Sequence, residues 1–142
     1  MEKLKIKYHT DIDHVRQRKN GEWLDLRAAE DVYMKAGDYR MISLGISIQL
    51  PEGYEALVIP RSSTFKNYGI LMVNSMGLID EKFSGDNDVI QFPALAITNT
   101  EIHKNDRICQ MRLIKHMPEL NIVTVETLGN PDRGGFGSTG IQ

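Results

Sequence analysis

Cysteine occurs once, at Cys109, so the chain can close no disulfide on itself and cannot build a cysteine zinc cluster. No apolar run approaches the roughly 18 residues of a membrane helix, and Met1-Glu2-Lys3-Leu4-Lys5 lacks the apolar core of a signal sequence. Neither charge sign is in large excess, with 17 basic and 19 acidic residues. A formal net charge of −2 supplies no basic face for a nucleic acid polymer, although a single nucleotide needs only a few well-placed donors. His9, His14, His103 and His116 show no metal-ligand spacing. No glycine loop ends in Lys-Ser or Lys-Thr, and Ser62 has no histidine and aspartate in a nucleophile-elbow pattern. These absences predict a soluble, intracellular (cytoplasmic) protein without membrane contact.

The 142 residues make one domain, and alternation with a period of two dominates it. Leu4, Ile6 and Tyr8 alternate with lysines, which predicts a strand with one charged face. Ile42, Leu44, Ile46, Ile48 and Leu50 alternate with small or polar residues, and Pro51-Glu52-Gly53 then turns the chain into a strand from Tyr54 to Ile59. Further strands are expected at 70–74, 89–99, 108–114 and 121–125. Only Ser63 to Tyr68 reads as a helix, with hydroxyl caps before it and Gly69 after it. Residues 11–20 are charged and aperiodic and read as loop. Many short strands and one short helix predict an all-β fold, a jelly-roll sandwich or barrel. Composition divides it into a β body, residues 1–131, and a glycine-rich end, residues 132–142.

Four places carry chemistry. Asn74-Ser75-Met76-Gly77-Leu78-Ile79-Asp80-Glu81 reads as a hairpin whose backbone could line a slot for a base edge. Asp80, beside Leu78 and Ile79, is either a shielded general base or a solvated turn residue. Pro60-Arg61-Ser62-Ser63 joins a strand to the short helix; its guanidinium and hydroxyls form an anion site, unless the serines merely cap the helix. Asp106-Arg107-Ile108-Cys109-Gln110 leads into a strand, with Gln110 able to donate to a phosphate. The end, Asp132-Arg133-Gly134-Gly135-Phe136-Gly137-Ser138-Thr139-Gly140, is either a disordered terminus or a segment that orders over a phosphate and a flat ring.

Taken in order with Trp23-Leu24-Asp25-Leu26-Arg27-Ala28, these stretches resemble the five motifs of the trimeric dUTPase family, spread over residues 23 to 140. The resemblance implies a jelly-roll homotrimer with active sites at subunit interfaces and a C-terminal lid donated to another subunit's site. It implies hydrolysis of dUTP to dUMP and pyrophosphate, with Asp80 activating the water that attacks the α-phosphorus. Asn74 and the backbone of Gly77, Leu78 and Ile79 would read uracil, and Phe83 would pack on the deoxyribose. Arg61, Ser62, Ser63 and Gln110 would hold phosphates. Arg133 would grip the γ-phosphate, Phe136 would stack on uracil, and Gly137 and Ser138 would close over the chain of phosphates. Mg2+ is implied as cofactor, held mainly by phosphate oxygens and water, with Asp25 either in its outer shell or in an ion pair with an arginine.

Phe83 stands where the family usually has tyrosine, and Ser63 and Asn105 stand at usual glycines. Arg133 and Phe136 are closer together than in the common pattern, so Phe65 or Phe92 is a second candidate for the aromatic cover. Two other readings carry different expectations. A dCTP deaminase of the same fold would need a catalytic glutamate, and no matching motif supplies one. A nucleotide-gated protein that regulates a partner would combine slow turnover with dUTP-dependent partner binding.

Overall fold

The computed structural model describes residues 1–135. Eleven strands and one helix are found there. In chain order they are β1 (Lys5–Tyr8), β2 (Leu24–Arg27), β3 (Val32–Met34), β4 (Tyr39–Ser43), β5 (Ile46–Gln49), β6 (Tyr54–Pro60), α1 (Thr64–Tyr68), β7 (Ile70–Met72), β8 (Gly77–Ile79), β9 (Gln91–Ala96), β10 (Thr100–Ile102) and β11 (Arg107–Lys115). The jelly-roll expectation holds. All the pairings are antiparallel, and they form a four-stranded sheet β2-β11-β6-β8, a three-stranded sheet β4-β9-β7, and the pairs β1-β5 and β3-β10.

The core lies where alternation placed it. Ile42, Leu44, Ile46, Ile48 and Leu50 are all buried, together with Leu26, Phe92, Ile108 and Met111 from other strands. Burying side chains of this size stabilises the fold by about 1.5–3 kcal/mol each. The run is not one strand, however. It breaks at Leu44-Gly45, with β4 pairing β9 and β5 pairing β1. Gly45 has φ +71°, and a Cβ there would approach Ala29 Cβ to 3.0 Å and Thr10 Cγ2 to 3.1 Å. A left-handed, tightly packed glycine therefore lets one alternating sequence serve two sheets.

The strand expected at 121–125 is absent from the described residues. It has no pairing partner among the described residues, and Leu120, Ile122, Val123, Val125 and Leu128 are exposed. The short strands β2, β3 and β10 were not among those expected from the sequence. No helix among the described residues is long and apolar enough to cross a membrane.

Candidate functional site

The sequence from Ile70 to Ile79 does not form the expected simple hairpin. β7 is the outer strand of the β4-β9-β7 sheet, and β8 is the outer strand of the other, paired to β6. The two strands therefore splay, and the turn between them bridges the sheets. Ser75 adopts φ +61° at its apex, with its N–H donating to the Met72 carbonyl at 3.0 Å. Splaying leaves the facing backbone edges of β7 and β8 without each other as partners. A flat polar edge inserted between them meets fixed N–H and C=O groups.

Asp80 follows directly on β8. The Lys82 N–H donates to its Oδ1 at 2.8 Å, and the Phe83 N–H to its carbonyl at 2.9 Å, so the carboxylate is held by its own loop. The neighbouring Glu81 accepts the Gly53 N–H at 2.6 Å, which pins this loop to the β5–β6 turn. Asp80 is exposed, and so is Leu78. The shielding expected from Leu78 and Ile79 is therefore not provided within one chain.

A second cluster forms where β2, β11 and β6 lie side by side. Gln110 pairs with Asp25 on one side and Ile59 on the other, and Arg61 follows the end of β6. The Asp25 carboxylate takes Arg61 Nε on Oδ1 and Arg107 Nη1 on Oδ2, both at 3.2 Å. Of the two possibilities for Asp25, the arginine ion pair is the one seen. Two guanidinium groups share one carboxylate, which leaves a positive surplus for an anion. Gln110 Nε2 donates to the Pro60 carbonyl at 3.2 Å, and its amide has a second N–H to offer. Beside them, burial and then the charge and hydrogen bond of Asp106 raise the pKa of the Tyr68 phenol, so it stays protonated.

The serines do not cap α1. Ser63 holds the N-cap position at φ −93° with no side-chain cap hydrogen bond, a conformation that costs serine nothing where the family has glycine. Thr64 does the structural work unforeseen from sequence. Its buried Oγ1 accepts the Arg61 N–H at 2.8 Å and donates to the Ile108 carbonyl at 2.8 Å. Thr64→Val should therefore destabilise the protein by about 1–3 kcal/mol, because it leaves a half-buried N–H and a buried carbonyl unpaired. Chemical denaturation checks this, with Thr64→Ser as the variant that keeps the bonds. Asn105 takes φ +79°, which accounts for glycine being usual there.

The two clusters are far apart in one chain. Ala56 faces Ile79 across the β6–β8 ladder, so Asp80 follows where that ladder ends, toward the Tyr54 end of β6. Arg61 lies just past the other end of β6, five residues beyond Ala56, about 16 Å at strand rise. Its guanidinium also turns toward β2 and β11, away from β8.

The dUTPase family model matches residues 11–140. The chain belongs to the dUTPase family. The SPbeta prophage-derived deoxyuridine 5'-triphosphate nucleotidohydrolase YosS of Bacillus subtilis is 52% identical over 140 residues, covering 98% of this chain and 99% of its own. Among solved structures, a mutant dUTPase of Staphylococcus bacteriophage 80alpha with dUpNHpp superposes with a TM-score of 0.76 at 19% identity, covering 98% of this chain and 99% of its own. A mutant dUTPase from phage phi11 of S. aureus, described with a structural Mg(II) ion, gives a TM-score of 0.73 at 16% identity over 89% of this chain and 98% of its own.

All five family motifs thus fall within one matched stretch. Arg61, Ser62, Ser63, Asp25 and Gln110 gather at one end of the four-stranded sheet, and Asn74, Gly77, Leu78, Ile79, Asp80 and Phe83 gather around the splayed strands. Arg107 and Tyr68 join the first group without having been singled out from sequence; Arg107 stood inside a motif, and Tyr68 gave no signal. Phe92 is fully buried in the core and cannot cover a base. Phe65, on α1, is exposed. Arg133 is exposed too, while Phe136, Gly137 and Ser138 lie outside the described residues. Cys109 is buried, and burial pushes its thiol far above the ordinary range, which suits an inert core residue.

Proposed function

We propose that this dUTPase family member hydrolyses dUTP to dUMP and pyrophosphate at sites built from more than one chain. The observation that carries the activity is the near full-length likeness to a deoxyuridine 5'-triphosphate nucleotidohydrolase at 52% identity. The composite site is supported by the separation of Asp80 from the arginine cluster. A general base must reach its water within hydrogen-bond distance, and that water must reach the phosphorus. In one chain Asp80 and Arg61 cannot serve one triphosphate, so each completes a site with groups from another copy. The exposed apolar arm after Lys115 and the family's assembly support a homotrimer with exchanged C-terminal segments.

Uracil enters between β7 and β8, where Asn74 and the backbone of Gly77 to Ile79 meet its polar edge. A backbone-lined slot has no room for the thymine methyl, and cytosine would leave buried donors facing donors, a strong discriminator. Phe83 packs on the deoxyribose and crowds a 2′-hydroxyl. Arg61, Ser62, Ser63 and Gln110 of a neighbouring copy hold the phosphates, and the hydroxyls of both serines are free of capping duty to do so. Asp80 takes a proton from water as its oxygen bonds to the α-phosphorus; the bond from that phosphorus to the α,β-bridging oxygen breaks, and pyrophosphate leaves. The glycine-rich end closes over the site, with Arg133 on the γ-phosphate, Phe136 on uracil, and Gly137 and Ser138 along the phosphates.

Mg2+ fits as an ion carried in by substrate. Among the described residues no three His, Cys, Asp or Glu side chains converge, and the nearest carboxylate, Asp25, faces two guanidinium groups. That donor set suits a cation bound through phosphate oxygens and water, with Asp25 no nearer than its outer shell. When bound, the ion neutralises phosphate charge.

A pyrophosphate-release assay over dUTP, dTTP, dCTP and UTP, with and without Mg2+, tests the reading. The expected result is dUMP and pyrophosphate from dUTP, with little release from the others. Ammonia from dCTP would instead favour a deaminase.

A further inference from the structure

The loop from Asp11 to Glu22 belongs to no element, yet it is tied down along its length. Ile12 is buried in the core, the Asp13 N–H donates to Asn105 Oδ1 at 2.8 Å, and the Val15 N–H donates to the Tyr8 hydroxyl at 2.7 Å. Further on, the Arg18 N–H donates to Glu22 Oε2 at 2.8 Å, and Gln17 Nε2 reaches the Glu22 carbonyl at 3.3 Å. Fixed in this way, the loop alternates. Val15 and Gln17 turn to one side, while Arg16 and Arg18 line a polar cleft of about 630 Å3 on the other. Asp25 and Arg107 form part of the same cleft, so it opens directly off the anion cluster at the head of β11.

The charges in this cleft are unevenly engaged. Asp13 lies 3.8 Å from Arg27, Asp25 is shared by Arg61 and Arg107, and Glu22 is taken by backbone N–H groups. Asp11 is the one lining carboxylate with neither a hydrogen-bond nor an ion-pair partner among the described residues. Arg16 and Arg18 have no acidic partner there either; against them only Asp11 is wholly unengaged, while Glu22 is held by backbone N–H groups alone. Two guanidinium groups on an anchored platform, beside a third already in the phosphate cluster, suit an anion with several oxygens.

We propose that Arg16 and Arg18 recognise the distal phosphates of the bound nucleoside triphosphate and the pyrophosphate cleaved from it. This rests on the dUTP reading and deepens it: the loop, outside all five motifs, selects a triphosphate over shorter phosphate chains. The two side chains act on the far end of the substrate and touch neither the base nor the α-phosphorus.

The assembled protein carrying Arg16→Ala and Arg18→Ala together tests this. The KM for dUTP and the inhibition constant of inorganic pyrophosphate should each rise about tenfold or more, the loss expected for removing charge-assisted contacts. Inhibition by dUMP, which lacks distal phosphates, should stay within about twofold. Arg16→Lys with Arg18→Lys should recover part of the loss. An unchanged KM and unchanged pyrophosphate inhibition would overturn the proposal, and so would an equal loss of dUMP binding. If the unmodified protein does not hydrolyse dUTP, the functional reading fails by itself. Calorimetric binding of inorganic tripolyphosphate then decides the cleft: weakened binding in the double variant supports it, and equal binding removes it.

Discussion

Asp80→Asn is expected to lower kcat for dUTP by about 10²- to 10⁴-fold, the usual worth of a positioned general base. The substitution is nearly isosteric, and an asparagine Oδ1 can still accept the Lys82 N–H that now holds Asp80. The loop keeps its other ties, the Phe83 N–H to the residue 80 carbonyl and Glu81 to the Gly53 N–H. Folding and assembly should therefore be unchanged by circular dichroism and gel filtration. KM should move by no more than about threefold, because the amide still occupies the same space beside the substrate. A low kcat with an intact assembly assigns Asp80 the proton; retained turnover would take it out of that role.

The second large effect comes from mixing two inactive proteins. Arg61→Ala should reduce turnover by about 10²-fold, since it removes a charged donor from the phosphates. It also leaves Asp25 paired only with Arg107. Alone, neither Asp80→Asn nor Arg61→Ala should support appreciable hydrolysis. Unfolded together at equal amounts and reassembled, they should regain activity, provided base and phosphate donors at each site come from different chains. With random association, about one site in four would carry both intact groups. Activity measured after mixing, against each variant refolded alone, gives the answer. No recovery would mean that Asp80 and Arg61 serve a site within one chain, contrary to their placement on opposite sides of β6.

Much of the body was legible because its side chains are locally consistent. The run from Ile42 to Leu50 announced a buried face, and every apolar member of it is buried. What periodicity could not show was the break at Gly45, since a period of two continues unbroken through a residue that changes sheets. Residues 121–125 are rich in β-branched side chains, yet a strand is defined by its partner, and none is present among the described residues. The same limit applies to Asp80. Its neighbours in sequence are apolar, but shielding depends on what packs over them, and Leu78 is exposed.

At the second cluster, three hydroxyls stand in a row at Ser62, Ser63 and Thr64. Nothing in their order tells which one turns inward to Ile108 and which two remain for a ligand. Arg107 and Asp25 could be named as motif members, whereas their pairing needed the register of β2 against β11. Phe65 and Phe92 were indistinguishable as aromatic residues, and burial alone separates them.

The splayed strands have a consequence for how discrimination can change. The two walls of the slot belong to different sheets, so its width is fixed by the distance at which those sheets pack. Small residues stand beside both walls on the neighbouring strands: Ala94 pairs with Met72 of β7, and Ala56 with Ile79 of β8, each alanine fully buried. A bulkier residue at either position would have to push its strand outward, because a close-packed interior transmits strain instead of absorbing it. With uracil seated there as proposed, base selectivity would be a property of interior volume as much as of the groups that touch the base. Substitutions that never contact a nucleotide could relax or sharpen it, and a survey restricted to the slot's lining would overlook them.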